Sequence, residues 1–112
     1  MKLITAILRE DAVDEVQIAL AQQGISGMTV TEASGYGRQR GHTEVYRGEE
    51  FTIDFITKAR LDVLATDEEV DLIVKTICEA ARSGSIGDGK IWVQPVEDVI
   101  RVRTGEHGAS AI

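Results

Sequence analysis

Cysteine, basic charge and long apolar runs are all scarce in this chain, and each scarcity excludes something. The one cysteine, Cys78, can form no disulfide within the chain; it lies in the apolar-periodic run VDLIVKTICEAA, where a small buried thiol fits. Against 19 Asp and Glu stand only 12 Lys and Arg, and a net charge of −7 argues against a protein that holds nucleic acid by neutralising phosphates. DNA is not an expected partner. The apolar start MKLITAIL is too short for a signal peptide and runs at once into REDAVDE. No later apolar run approaches the ~18 residues of a membrane span, so a soluble, cytoplasmic protein is expected. His42 and His107 have no cysteine or second histidine at ligand spacing, and no Ser, His and Asp set stands out as a nucleophile system. The chemistry expected is binding, not catalysis.

What is present is one pattern written twice. At 112 residues and 43% hydrophobic, the chain suits a single domain, 1–112. KLITAIL (2–8) reads as a strand. DAVDEVQIALAQQ (11–23) puts Val13, Val16 and Leu20 on one helical face, opens on acids that suit a helix N-terminus, and ends at Gly24. MTVTEAS (28–34) alternates as a second strand. The second half repeats the order: FITKARLDVLA (55–65) as a strand, Thr66 and Glu69 as a capping box, then Val70, Ile73, Val74, Ile77 and Ala81 at helical spacing. SGSIGDG (83–89) breaks that helix, and KIWVQPV (90–96) is the last strand. Two such halves with right-handed crossovers predict an α+β, ferredoxin-like βαββαβ sandwich: a four-stranded antiparallel sheet with two helices on one face.

Between the halves, YGRQRGHTEVYRGEEF (36–51) carries three Gly, three Arg and three Glu with neither helical nor strand periodicity. Loops beyond ~12–15 residues in a compact domain are usually functional or disordered; the alternative for this segment is a solvated hairpin with no role. GSIGDGK (84–90) resembles the opening of a P-loop, but Ile91 follows where a metal-binding hydroxyl belongs, and a strand follows where a helix belongs. A Walker-type NTPase is excluded. A glycine-rich turn able to face an anion, with Lys90 beside it, remains open alongside a plain turn. GYGRQRG (35–41) is spaced GxGxxxG and precedes no helix, so a dinucleotide fold is not supported. Arg101 and Arg103, two apart, would point the same way from an extended chain and suit phosphate oxygens; the alternative is ion pairing with local Asp or Glu.

These residues resemble the PII nitrogen-regulatory signal transduction proteins from Met1 to Ile112. The most specific pieces are GISGMTVTE (24–32), GYGRQRGHTEVYRGEE (35–50), SGSIGDGKIWV (83–93) and VIRVRTGE (99–106). The resemblance implies a homotrimer of ferredoxin-like subunits, a target-binding T-loop over 37–54 and a C-terminal extension over 97–112. It implies that ATP and ADP compete for clefts between subunits and that Mg²⁺ with ATP permits 2-oxoglutarate to bind. Gly35, Gly37, Arg38, Gln39, Gly87, Asp88, Gly89 and Lys90 would then wrap the nucleotide from one subunit. Gly27, Met28, Thr29, Asp62, Leu64, Arg101 and Arg103 would supply the remaining cleft positions. Gln39 would join the coordination of Mg²⁺, and Lys58 would pair with the distal carboxylate of 2-oxoglutarate. Arg47, Glu50 and Phe51 would meet partners: an ammonium channel, enzymes of glutamine and arginine synthesis, or regulatory kinases.

The chain also departs from the family's pattern. Phe51 stands where many members carry a nucleotidylated tyrosine, so no modification is expected there, and Glu49 stands where cyanobacterial members phosphorylate a serine. Asp62 replaces a common Glu. A slow ATPase or ATP-dependent small-acid enzyme is the alternative reading, weakened by the lack of a water-positioning base.

Overall fold

The computed structural model describes residues 1–36, 42–46, 49–53 and 55–112, with the main chain alone for 42–46 and 49–53. In chain order the elements are β1 (Lys2–Leu8), α1 (Val13–Gln22), β2 (Thr29–Gly35), β3 (His42–Tyr46), β4 (Glu49–Ile53), β5 (Ile56–Ala65), α2 (Val70–Ala81) and β6 (Gly89–Pro95). A four-stranded antiparallel sheet runs in the order β2-β5-β1-β6. This is the ferredoxin-like sandwich that the twofold pattern predicts, with β3 and β4 added between its halves.

Strand alternation decides which face is covered. From β1, Ile4, Ala6 and Leu8 are buried, and from β5, Leu61, Val63 and Ala65; they meet Val16 and Leu20 of α1 and Ile73, Ile77 and Ala81 of α2. Each fully buried Val, Leu or Ile side chain contributes about 1.5–3 kcal/mol relative to exposure, so this one layer carries the fold. The intervening residues point to the other face, which no α-helix among the described residues covers. In register across it lie Thr5, Asp62, Thr29 and Trp92, and one step along, Ile7, Arg60, Thr31 and Lys90.

Four expectations change. The helix expected from residue 11 opens as a 3-10 turn, Glu10–Ala12, before α1 begins at Val13. Cys78 is only partly buried rather than core filler, because it sits on the flank of α2 beside the buried Ile77. Segment 36–51, read as lacking strand character, contains a paired ribbon: β3 and β4 run antiparallel with Glu44 opposite Phe51 and Val45 opposite Glu50. Backbone pairing there needs no apolar face, which is why a hydrophobic pattern does not announce it. Residues 102–104 form a turn, so Arg101 and Arg103 do not project side by side from an extended chain.

Candidate functional site

β5 organises the uncovered face. Lys58, Arg60, Asp62 and Leu64 alternate outward from it, opposite the buried Ala59, Leu61 and Val63. Near its C-terminal end opens a cavity of about 790 Å³, lined by Gly27, Met28 and Thr29 from the approach to β2, by Asp62 and Leu64, and by Ile112 near the chain end. At its other end a cavity of about 440 Å³ is lined by Gly35, Lys58, the turn residues Gly87 and Asp88, and Gly89 and Lys90 at the start of β6. The expected cleft residues therefore fall into two half-sites. Lys58 and Asp62 are four residues apart, roughly 13 Å along a strand.

In the first half-site, the Thr5 hydroxyl donates to Asp62 Oδ1 at 2.7 Å and Arg60 Nε donates to Asp62 Oδ2 at 3.0 Å. Burial pushes the Asp62 carboxyl up, but hydrogen bonds from Arg60 and Thr5, with the Arg60 charge, hold it below the usual carboxylate range. Asp62 is thus an oriented anion. Arg60, not singled out from sequence, lines the same cavity, as do Thr66 and Glu69, which the sequence marked only as a capping box. For Arg60 the signal was available, since it lies two residues from both Lys58 and Asp62 on one strand.

The second half-site is built around a turn that supplies its own anion. Asp88 accepts hydrogen bonds from Ser83 N at 2.8 Å and Gly84 N at 2.9 Å, and from the Ser83 hydroxyl. Arg9 Nε lies 3.4 Å from Asp88 Oδ1, while Arg9 Nη2 donates to the Ala81 carbonyl at 3.1 Å, tying the turn to the end of α2. The first amides of the glycine-rich turn therefore face an internal carboxylate, and the Asp88 side chain is taken up within the turn. Ser83 side-chain and backbone bonds, outweighing burial, lower the Asp88 carboxyl, with Gly84 N and the Arg9 charge adding to the effect. Lys58 Nζ donates to the Gly87 carbonyl at 2.9 Å, linking β5 to the turn. Tyr36 and Phe55 meet edge to face at the rim, ring centroids 5.6 Å apart.

Arg101 and Arg103 line neither cavity; they belong to the C-terminal turn. Arg101 pairs with Glu106 and donates from Nη2 to the Ser110 carbonyl at 3.0 Å, the local ion pairing left open by the sequence. Arg103 is exposed, and between the two Val102 is 99% exposed. Gly37, Arg38, Gln39 and Arg47 lie outside the described residues; for Glu50 and Phe51 only the β4 backbone is described. Among the described residues, no group of three His, Cys, Asp or Glu could hold a metal ion, and no helix is long and apolar enough to cross a membrane.

The fold gives the class: a ferredoxin-like α+β sandwich with a two-stranded ribbon between its halves. Comparison with known proteins gives the family. Residues 1–106 match the family model described as Nitrogen regulatory protein P-II. Proteins of that name from Nostoc punctiforme and Azospirillum brasilense are 52% and 53% identical over 112 residues, covering 100% of this chain and of each relative. The crystal structure of Arabidopsis thaliana PII bound to citrate superposes with a TM-score of 0.81 at 37% identity, covering 98% of this chain and 87% of that one. The chain belongs to the nitrogen regulatory P-II family.

Proposed function

We propose that this protein is a non-enzymatic cytoplasmic sensor whose three copies form nucleotide clefts between neighbours. The separation of the expected cleft residues into two half-sites carries the reading. One chain offers Gly27, Met28, Thr29, Asp62 and Leu64 at one end of β5, and Gly35, Lys58 and Gly87 to Lys90 at the other. Placing the first group of one copy against the second group of the next would make a continuous site. The uncovered sheet face, with Leu64 and Trp92 each 39% exposed, is the surface on which copies would meet.

In that cleft ATP and ADP would compete, their phosphates held by the glycine-rich turn, Lys90, Arg101 and Arg103, together with Gly37 and Arg38. Mg²⁺ would be held largely by phosphate oxygens, with Gln39 completing its shell, an arrangement that needs no cluster of protein carboxylates. A small carboxylate, 2-oxoglutarate, would pair with Lys58; the citrate named for the Arabidopsis relative supports a carboxylate ligand class. Ligands that bind alternative conformations of 37–54 unequally would set which nitrogen-metabolism targets are engaged through Arg47, Glu50 and Phe51: an ammonium channel, enzymes of glutamine or arginine synthesis, or regulatory kinases. Phe51 has no phenolic oxygen, so nucleotidylation at that position has no nucleophile.

Sedimentation and calorimetry on the purified chain test this. A trimer is expected, with ATP and ADP competing for one site per subunit, 2-oxoglutarate binding only with Mg²⁺ and ATP, and hydrolysis near background. A monomer without nucleotide affinity would overturn the reading, and sustained turnover would make it an enzyme.

A further inference from the structure

In the C-terminal turn the Arg101 guanidinium is held by a carboxylate of that same turn, Glu106. Two systems act there separately. The backbone frame is closed by Arg101 N to the Glu106 carbonyl at 3.0 Å, Gly105 N to the Arg101 carbonyl at 2.7 Å and Gly108 N to the Val99 carbonyl at 2.9 Å. Asp98 braces that frame from outside, against His107 Nδ1 at 2.6 Å and accepting from Gly108 N at 3.2 Å. Gly105, at φ 73°, lets the chain reverse. The second system is made by side chains: Arg101 Nη1 pairs with the Glu106 carboxylate, which also accepts from the Thr104 hydroxyl at 3.4 Å, while Arg101 Nη2 donates to the Ser110 carbonyl at 3.0 Å.

Because the frame closes through main-chain atoms, Arg101 can change partner without the turn opening. Its side chain is 38% exposed and that of Glu106 36%, so the pair sits partly in water, where ion pairs are weak. A phosphate offers the same fork a bidentate, more highly charged acceptor. We propose that Glu106 is the affinity-setting residue of the Arg101 anion site: its carboxylate occupies the Nη1 arm of the guanidinium, Nη2 being held by the Ser110 carbonyl, and is displaced when a nucleotide phosphate arrives. This rests on the reading of Arg101 as a phosphate contact. Glu106 then makes binding a competition, raising the nucleotide concentration at which the cleft fills. Arg103, with no acidic partner among the described residues, carries no such cost.

The test is a double-mutant cycle on the full chain, titrated with ATP in the presence of Mg²⁺. Glu106→Gln keeps an oxygen that can accept from Arg101 and Thr104 but removes the charge; it is expected to tighten ATP by about threefold to fivefold, the scale of one partly exposed ion pair. In an Arg101→Ala background the same change is expected to have no effect, because the competition no longer exists. Weaker or unchanged ATP binding in Glu106→Gln, with Arg101→Ala still impaired, would make Glu106 a prop for Arg101 and overturn the inference while leaving the nucleotide site standing. No ATP binding by the unaltered chain would remove the underlying reading instead. Should Glu106→Gln fold poorly, the Arg101 side-chain N–H resonance of the unaltered protein decides. It is expected to shift together with the Glu106 carboxyl resonance as ATP saturates, and an unmoved Glu106 resonance in the ATP-bound protein would overturn the inference.

Discussion

Thr5 and Asp62 sit opposite each other in the β1–β5 register, and the fully buried Thr5 hydroxyl donates to Asp62 Oδ1 at 2.7 Å. A hydroxyl on the uncovered side of the sheet is thus spent on orienting a carboxylate that lines the larger cavity. Thr5→Val keeps the shape and removes the donor, leaving Asp62 to Arg60 alone. A loss of about 1–3 kcal/mol of stability is expected at neutral pH, measured by urea unfolding. The pH dependence has a definite sign. Asp62 is held below its unfolded value of about 3.9, so its contribution is present above that pH and is lost as pH falls through the lower folded value. The gap between the two proteins should therefore narrow in acid. A gap that widened would mean that the hydroxyl favours the protonated carboxyl.

Two glycines separate fold from site. Gly89 has φ 110°, and a Cβ there would lie 1.8 Å from the Ile7 carbonyl oxygen, so the backbone of β1 occupies the space. Gly89→Ala is expected to cost about 3 kcal/mol or more, or to prevent folding, because positive φ and a backbone clash combine. Gly27 lines the larger cavity with nothing within 4 Å of an added Cβ and no positive φ. Gly27→Ala should leave thermal unfolding within about 0.5 kcal/mol of the parent while weakening nucleotide binding. Normal ATP affinity in Gly27→Ala would place the ligand elsewhere.

The sheet, both helices and the sandwich arrangement were legible because each depends on a buried face with a fixed period. Ile73, Ile77 and Ala81 mark α2 at helical spacing, and Leu61, Val63 and Ala65 mark β5 at strand spacing, and all six are buried. The β3–β4 ribbon was not legible, since main-chain pairing leaves no mark on a polar stretch such as His42 to Tyr46. The half-site residues were named through family resemblance, yet their partners were not. Asp88 turning back on Ser83 and Gly84, and Glu106 closing on Arg101, are choices of rotamer among nearby donors. Spacing limits which pairs can meet; it does not say which one does.

The start of α2 offers a local test. Thr66 N and the Thr66 hydroxyl both meet Glu69 Oε1 at 3.0 Å, within the capping box that S/T-x-x-E predicts, and Glu69 N donates to the Thr66 carbonyl at 3.1 Å as the main-chain bond of the 3-10 turn Asp67–Glu69 that leads into α2. Glu69→Ala removes the two side-chain bonds and is expected to cost about 1 kcal/mol, measured by chemical denaturation. Glu69→Gln should recover most of it, since an amide oxygen still accepts from Thr66 N. No recovery would assign the effect to the Glu69 charge at the helix N-terminus instead.

The last prediction concerns a carboxylate whose work is internal. Asp88 takes the amides of Ser83 and Gly84 and the Ser83 hydroxyl, and stands beside Arg9, so the turn that carries Gly87 to Lys90 is shaped from within. Asp88→Ala removes every one of these contacts and leaves two glycine-turn amides facing water. Faster hydrogen exchange at Ser83 and Gly84 is expected, with ATP weakened by about tenfold because a loose turn must be ordered on binding. Arg9→Ala should act in the same direction but less, since the amide bonds survive it. Asp88 is held below the ordinary carboxylate range, so turn order is present above about pH 4 and is lost as pH falls through the folded value. Exchange at Ser83 and Gly84, corrected for its intrinsic pH dependence, should therefore rise in acid in the parent and stay flat in Asp88→Ala. If Asp88→Ala weakened ATP while exchange at these two amides stayed at the parent's rate, Asp88 would be touching the ligand itself.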